Sequence, residues 1–281
     1  TMTLELRDQV GVDLPEDSIA RIGTVRDLLR EVVEAEEKAG AAVDPVIQLE
    51  KPELLLDPLQ LRWLTERGWF IRRLGAALFV LNRLLMKTIF SLDVQGVERI
   101  PAQKPCVLIP NHTSLLDPPA IMAALSDSFL NRTYWGGWTG IMFRNGLMRL
   151  VSRATLVLPI DQRSRPLVNI ALGATALARG YNLVWFPEGG RSPDGMLQSF
   201  QPGIGLMMTA HPTPLIPVWI EGSFEALPTG SWWPRRRAIR VVFGEALDTE
   251  TLAGPSRGVD RYRRIATALH DQVAALGGNP M

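Results

Sequence analysis

The sequence predicts an α/β fold, a mostly parallel sheet covered by helices, with a helical extension in front of it. Three observations carry that prediction. Apolar runs at 106–110 (CVLIP), 132–135 (RTYW), 155–160 (TLVLPI), 182–186 (NLVWF), 215–220 (LIPVWI) and 238–243 (AIRVVF) read as strands, and their near-continuous apolarity implies burial on both faces. Helical spacing lies between most of them, notably at 165–179 and 201–210, the alternation expected of a parallel sheet. Polar motifs also follow strands repeatedly: NHTSLLD after the first, DQRS after 155–160 and PEGGRS after 182–186. That rim is where an open α/β sheet holds its ligands.

Bulk composition bounds the function classes. With 281 residues, 46% of them hydrophobic, the chain can bury a full core. Its 30 basic and 29 acidic residues give a net charge of +1, which argues against nucleic acid as the main partner, so any basic patch is local. The single cysteine, Cys106, makes no internal disulfide, and no secretory signal is read at the start, so a reducing, cytoplasmic setting is expected.

Residues 1–36 read as short amphipathic helices, with Leu4, Leu6, Val10, Val12, Leu14, Ile19, Ile22, Val25, Leu28, Leu29 and Val32 as the apolar positions. The run VGVDLPEDSIARIGTVRDLL resembles the second half of an acyl or peptidyl carrier domain. The Asp-Ser-Leu that would carry the prosthetic group is then expected just before Thr1, in a longer multidomain polypeptide. A generic helical cap is the alternative.

Residues 37–62 contain Pro45, Pro52 and Pro58 without periodicity and read as a linker. Residues 63–90, WLTERGWFIRRLGAALFVLNRLLMKTIF, are too interrupted by charge to span a bilayer. On a helix Arg72, Arg83 and Lys87 fall within about 60° of one another, leaving an apolar remainder in which Trp69, Phe70, Phe79 and Phe90 would meet the acyl boundary of a membrane surface. A helix packed on the catalytic domain is the competing reading. Residues 91–281 form the α/β domain, closed by a helix repeating Tyr262, Ile265, Ala266, Leu269, Val273 and Leu276 at helical spacing.

PNHTSLLDPP, residues 110–119, raises the chemical question. Asp117 before Pro118 is a good helix start, yet Pro119 also lacks an N–H, so one carboxylate oxygen is left for His112. A carboxylate on one ring nitrogen fixes the tautomer and leaves the other as a base. Spacing alone leaves a catalytic pair and a capped loop both open. The other histidines, His211 and His270, offer no metal-ligand spacing, so no metal is expected. In FPEGGRS, Gly189 and Gly190 permit a tight turn and Arg191 offers a planar fork for phosphate. Glu188 is expected to orient Arg191 or accept from a substrate hydroxyl, and Arg163 is a second phosphate candidate. Near the C-terminal strand, GSWWPRRR pairs Trp232 and Trp233 with Arg235, Arg236 and Arg237, which suits a membrane interface or a plain surface loop.

NHTSLLD, LPIDQRS, FPEGGRS and PLIPVWIEGS, in this order and spacing, resemble the four sequence blocks of the glycerolipid acyltransferases related to bacterial 1-acylglycerol-3-phosphate acyltransferase. The resemblance covers roughly residues 85–250. Gly190 stands where that family usually has Thr, and Gln162 separates Asp161 from Arg163 where Asp-Arg is usual. It implies that His112 deprotonates an acceptor hydroxyl, that Asp117 orients His112, and that Asn111, Ser114, Arg163, Glu188, Gly189, Gly190, Arg191 and Ser192 surround the substrate. The implied reaction moves a fatty acyl group from an acyl-CoA or acyl-carrier-protein thioester to the hydroxyl of a lysophospholipid, first of all 1-acylglycerol-3-phosphate giving phosphatidic acid, without cofactor or covalent intermediate, at the inner face of the cell membrane. Another lysophospholipid, a specialised alcohol, or a non-catalytic lipid-binding role are the alternatives.

Overall fold

The computed structural model describes residues 44–101, 104–161 and 166–278. The carrier-like segment 1–36 and Arg163 lie outside the described residues. Residues 44–62, expected as a linker, make short helical turns instead: α1 (Pro45–Glu50), a 3-10 turn (Pro52–Leu55) and α2 (Pro58–Leu61). The prolines read as breakers are initiators, because the first turn of a helix does not need their missing N–H. Leu56 and Leu64 are buried in the same apolar cluster as Leu49.

The remaining elements are α3 (Trp69–Ile89), β1 (Asp93–Gln95), β2 (Val107–Pro110), α4 (Asp117–Ala124), α5 (Asp127–Leu130), β3 (Thr133–Trp138), α6 (Thr139–Met142) and α7 (Gly146–Ala154). They continue with β4 (Val157–Ile160), α8 (Pro166–Ala178), β5 (Asn182–Val184), α9 (Gly203–Ala210), β6 (Leu215–Glu221), α10 (Ser223–Ala226), β7 (Arg240–Phe243), α11 (Thr249–Ala253) and α12 (Gly258–Leu276). One seven-stranded sheet runs in the order β1-β7-β6-β2-β5-β3-β4. Pairing from β6 through β4 is parallel, as expected, while β7 lies antiparallel to β6 and β1 parallel to β7.

Alternate residues of each central strand feed opposite cores. Val107, Ile109, Leu183 and Leu215 point into a cluster with α8, α9 and α12. Leu108, Val184, Ile216 and Val218 point into one with α3 and α4. That two-sided burial is why these strands are apolar throughout. The sheet therefore sits rigidly between helical layers, with the carboxyl ends of β2, β5 and β6 side by side at one rim.

Helix α3 has two duties. Gly75, Phe79 and Met86 are its buried positions, and a Cβ at Gly75 would collide with the Ala154 carbonyl of α7, so glycine is required for that crossing. Phe79 and Phe90, expected in the acyl boundary, are core residues instead. Trp69 (72% exposed) and Phe70 (66%), with Val80, Leu81, Leu84 and Leu85, face solvent. Among the described residues no helix is long and apolar enough to cross a membrane.

Candidate active site

His112 lies in the loop between β2 and α4, beyond the end of the central strand. Its Nδ1 is 2.9 Å from Asp117 Oδ2. The same Oδ2 accepts the backbone N–H groups of Thr113 (2.7 Å) and Ser114 (2.8 Å), so one fully buried carboxylate oxygen folds the loop and orients the ring. The expected cap geometry is not the one found. Asp117 is itself the first residue of α4, and Leu116 precedes it with no side-chain cap. Pro118 and Pro119 have no N–H to offer, and Asp117 Oδ1 is buried without a hydrogen-bond partner among the described residues. Capping is absent because Pro118 and Pro119 carry no N–H and the Ala120 N–H donates to the Leu116 carbonyl at 2.9 Å.

With Nδ1–H directed at Asp117, the lone pair sits on Nε2, for which the described residues supply no partner. The Phe186 ring lies 4.1 Å from the imidazole, centroid to centroid, at 33°. The His112 ring is thus held at Nδ1 and along the Phe186 ring with one basic nitrogen open, the arrangement of a general base.

The turn after β5 abuts it. Gly189 takes φ 79°, in the left-handed region that favours glycine, and Gly190 is exposed with no neighbouring atom near its Cα. Glu188 does not orient Arg191. Its Oε1 accepts the backbone N–H of His112 at 2.7 Å and its Oε2 that of Gln198 at 3.2 Å. Burial pushes its carboxyl up to about 7, against the pull of those two N–H groups, and the nearby Asp117 carboxylate adds to the rise. Arg191 makes no ion pair among the described residues. A cavity of ≈ 390 Å³ opens there, lined by residues 188–191 and by Gln198, Ser199 and Gln201.

Several expected substrate contacts have their polar groups engaged by the fold. The Asn111 carboxamide exchanges two hydrogen bonds with the Ile220 backbone, at 2.9 and 2.7 Å, extending the β2–β6 pairing. Ser114 Oγ donates to the Leu227 carbonyl at 2.8 Å, and Ser192 Oγ to Asp194 Oδ1 at 2.8 Å. All three side chains are buried. Sequence reasoning missed Gln198, Ser199 and Gln201, which no motif announces. It also gave Phe186 no role, although FPEGG places an aromatic directly before the turn. Among the described residues no group of three or more His, Cys, Asp or Glu side chains is placed to hold a metal ion.

The expected membrane contacts separate. Trp232 and Trp233 are 83% and 84% exposed, and Arg72 and Lys87 are exposed on α3. Arg83 instead pairs with Asp127 at 2.8 Å and donates to the Leu125 carbonyl.

Fold and site together define an α/β domain with a histidine–aspartate pair at the strand rim. Residues 91–221 match the family model described as Acyltransferase. The chain is 30% identical over 145 residues to the 1-acyl-sn-glycerol-3-phosphate acyltransferase BAT2, chloroplastic, of Brassica napus, covering 50% of this chain and 40% of that one. It is 27% identical over 180 residues to the 1-acyl-sn-glycerol-3-phosphate acyltransferase LPAT1, chloroplastic, of Arabidopsis thaliana, covering 63% and 46%. The chain thus spans less than half the length of either plant relative. The crystal structure of the 1-acyl-sn-glycerophosphate (LPA) acyltransferase PlsC from Thermotoga maritima shares the fold, with a TM-score of 0.57 at 20% identity over 79% of this chain and 88% of that one.

Proposed function

We propose that this chain transfers a fatty acyl group from an acyl-CoA or acyl-carrier-protein thioester to the hydroxyl of a lysophospholipid, with 1-acylglycerol-3-phosphate as acceptor and phosphatidic acid as product. The observation that carries the reading is the His112 Nε2, open among the described residues and oriented through Nδ1 by buried Asp117, in a loop bonded to Glu188 of a cavity that also bears Arg191.

In this reading His112 Nε2 takes the proton of the acceptor hydroxyl as its oxygen attacks the thioester carbonyl. The tetrahedral intermediate then collapses, the C–S bond breaks, and the imidazolium returns its proton to the leaving thiolate. Asp117 stabilises the imidazolium between the two transfers. Arg191 holds the acceptor phosphate as a planar fork. No cofactor is assigned a part.

The exposed apolar face of α3, with Arg72 and Lys87, and the Trp232–Trp233 loop with Arg235, Arg236 and Arg237 are assigned to an anionic membrane surface. In this reading the chain works as a peripheral protein at the inner face of the cell membrane.

A panel of lysophospholipid acceptors offered with labelled acyl-CoA and acyl carrier protein tests the assignment. Phosphatidic acid is the expected main product, and Arg191→Ala is expected to raise the KM for lysophosphatidic acid about tenfold or more, from loss of one charged contact. Equal use of acceptors lacking a terminal phosphate would contradict it.

A further inference from the structure

We propose that Glu188 is a positioning residue for His112, acting on the base through the main chain and not on the acceptor. The proposal rests on the acyltransferase reading for its kinetic consequence but on geometry for its content. Segment 186–192 grips His112 at three points. Phe186 lies against the ring, Glu188 Oε1 accepts the His112 N–H at 2.7 Å, and the Ser192 N–H donates to the His112 carbonyl at 2.8 Å. Both main-chain polar groups of the base therefore belong to the turn that carries Arg191.

The second oxygen of Glu188 accepts the N–H of Gln198 at 3.2 Å, so one side chain bridges the loop after β2, its own turn and the Gln198 segment that also lines the cavity. Such a bridge fixes the distance between the base and the phosphate fork, which positions a hydroxyl for attack. A role on the acceptor fits less well. Both oxygens already accept, the side chain is 7% exposed, and a carboxylate repels the phosphate that Arg191 would attract. The charged and titratable groups around Glu188 are Asp117 and His112 from the β2–α4 side and Arg191 in its own turn, while Gln198, Ser199 and Gln201, which also line the cavity, are neutral.

Two readouts on the full chain test this. In steady-state kinetics with lysophosphatidic acid and acyl-CoA, Glu188→Ala is expected to lower kcat by about 10²-fold while the acceptor KM stays within about threefold. Glu188→Gln recovers part of the loss, because its amide oxygen still accepts from His112 while its NH2 group meets the Gln198 N–H donor to donor. Near-normal kcat in Glu188→Ala, or a raised KM with kcat retained, would overturn the proposal.

The second readout needs no turnover. The His112 Nδ1–H held by Asp117 gives a downfield proton resonance, identified by its absence in His112→Ala. It is expected to persist in Glu188→Gln and to be lost or broadened in Glu188→Ala, with thermal unfolding recorded alongside. An unchanged resonance in a folded Glu188→Ala protein would refute the positioning role. Absence of acyl transfer in the wild type would show separately as a failure of the functional reading.

Discussion

Asp117 Oδ2 collects three hydrogen bonds, from His112 Nδ1, Thr113 N and Ser114 N, so loop closure and base orientation depend on one atom. Asp117→Asn should therefore act twice. Transfer is expected to fall by about 10²–10⁴-fold, the usual worth of an oriented base. Stability should drop by about 1–3 kcal/mol if the amide nitrogen turns toward the two N–H groups and leaves buried donors unmatched, as read from urea midpoints.

Glu188 yields a prediction of opposite sign. Its folded-state carboxyl titrates near 7, above the ordinary 4.5, because burial disfavours the charge. The unfolded state binds fewer protons in that interval, so the contribution is fully present below about pH 4.5 and is lost as pH rises through about 7. Glu188→Gln removes the buried charge. Its unfolding free energy relative to wild type should improve by up to about 3 kcal/mol between pH 5 and pH 8, a difference that two denaturant titrations would show.

At the scale of elements, α3 separates a buried structural face from an exposed apolar face, the one proposed to dock. Phe79 is buried between the sheet and its neighbours, and Phe79→Ala should cost about 3–5 kcal/mol in a melting experiment. Leu81 and Leu84 contact solvent, so Leu81→Glu with Leu84→Glu should leave folding nearly unchanged. The same pair should weaken co-sedimentation with anionic vesicles about tenfold or more, with residual binding that falls as salt rises. Unchanged vesicle binding would move the docking surface elsewhere. The helix was legible from its lack of carboxylates and its apolar excess, but which aromatic residues point inward was not. Trp69, Phe70, Phe79 and Phe90 are chemically alike in the string, and the rotation of the helix is fixed by distant contacts, the crossing with α7 at Gly75 and the hydrogen bond from Asn82 to the Pro119 carbonyl of α4 among them.

For the whole molecule, legibility followed how local the cause was. Runs such as VLIP announce two-sided burial in the sequence itself, which is why the central strands were found to within a few residues. Strand β1, three residues with mostly exposed side chains, carries no such signal. Direction is not written in an apolar run either, so the antiparallel turn of β7 was invisible. The same distinction governs the site. His112 and Asp117 are five positions apart and could be paired on paper, whereas Asn111 and Ser114 find their partners at Ile220 and Leu227, across the sheet. Proximity in the string revealed the histidine–aspartate pair; only the β2–β6 neighbourhood showed that the adjacent polar groups hold the frame.

The central claim is that His112 is the base of an acyl transfer, with the rest of the rim holding the base and the acceptor in place. Its ring is only partly buried and its backbone bonds survive truncation, so His112→Ala should fold like the wild type. The most direct measurement is the single-turnover rate of labelled acyl transfer to lysophosphatidic acid by purified wild-type and His112→Ala protein, matched by circular dichroism. A loss of about 10²–10⁴-fold with an unaltered spectrum is predicted. Near-wild-type transfer by the folded variant would contradict the account.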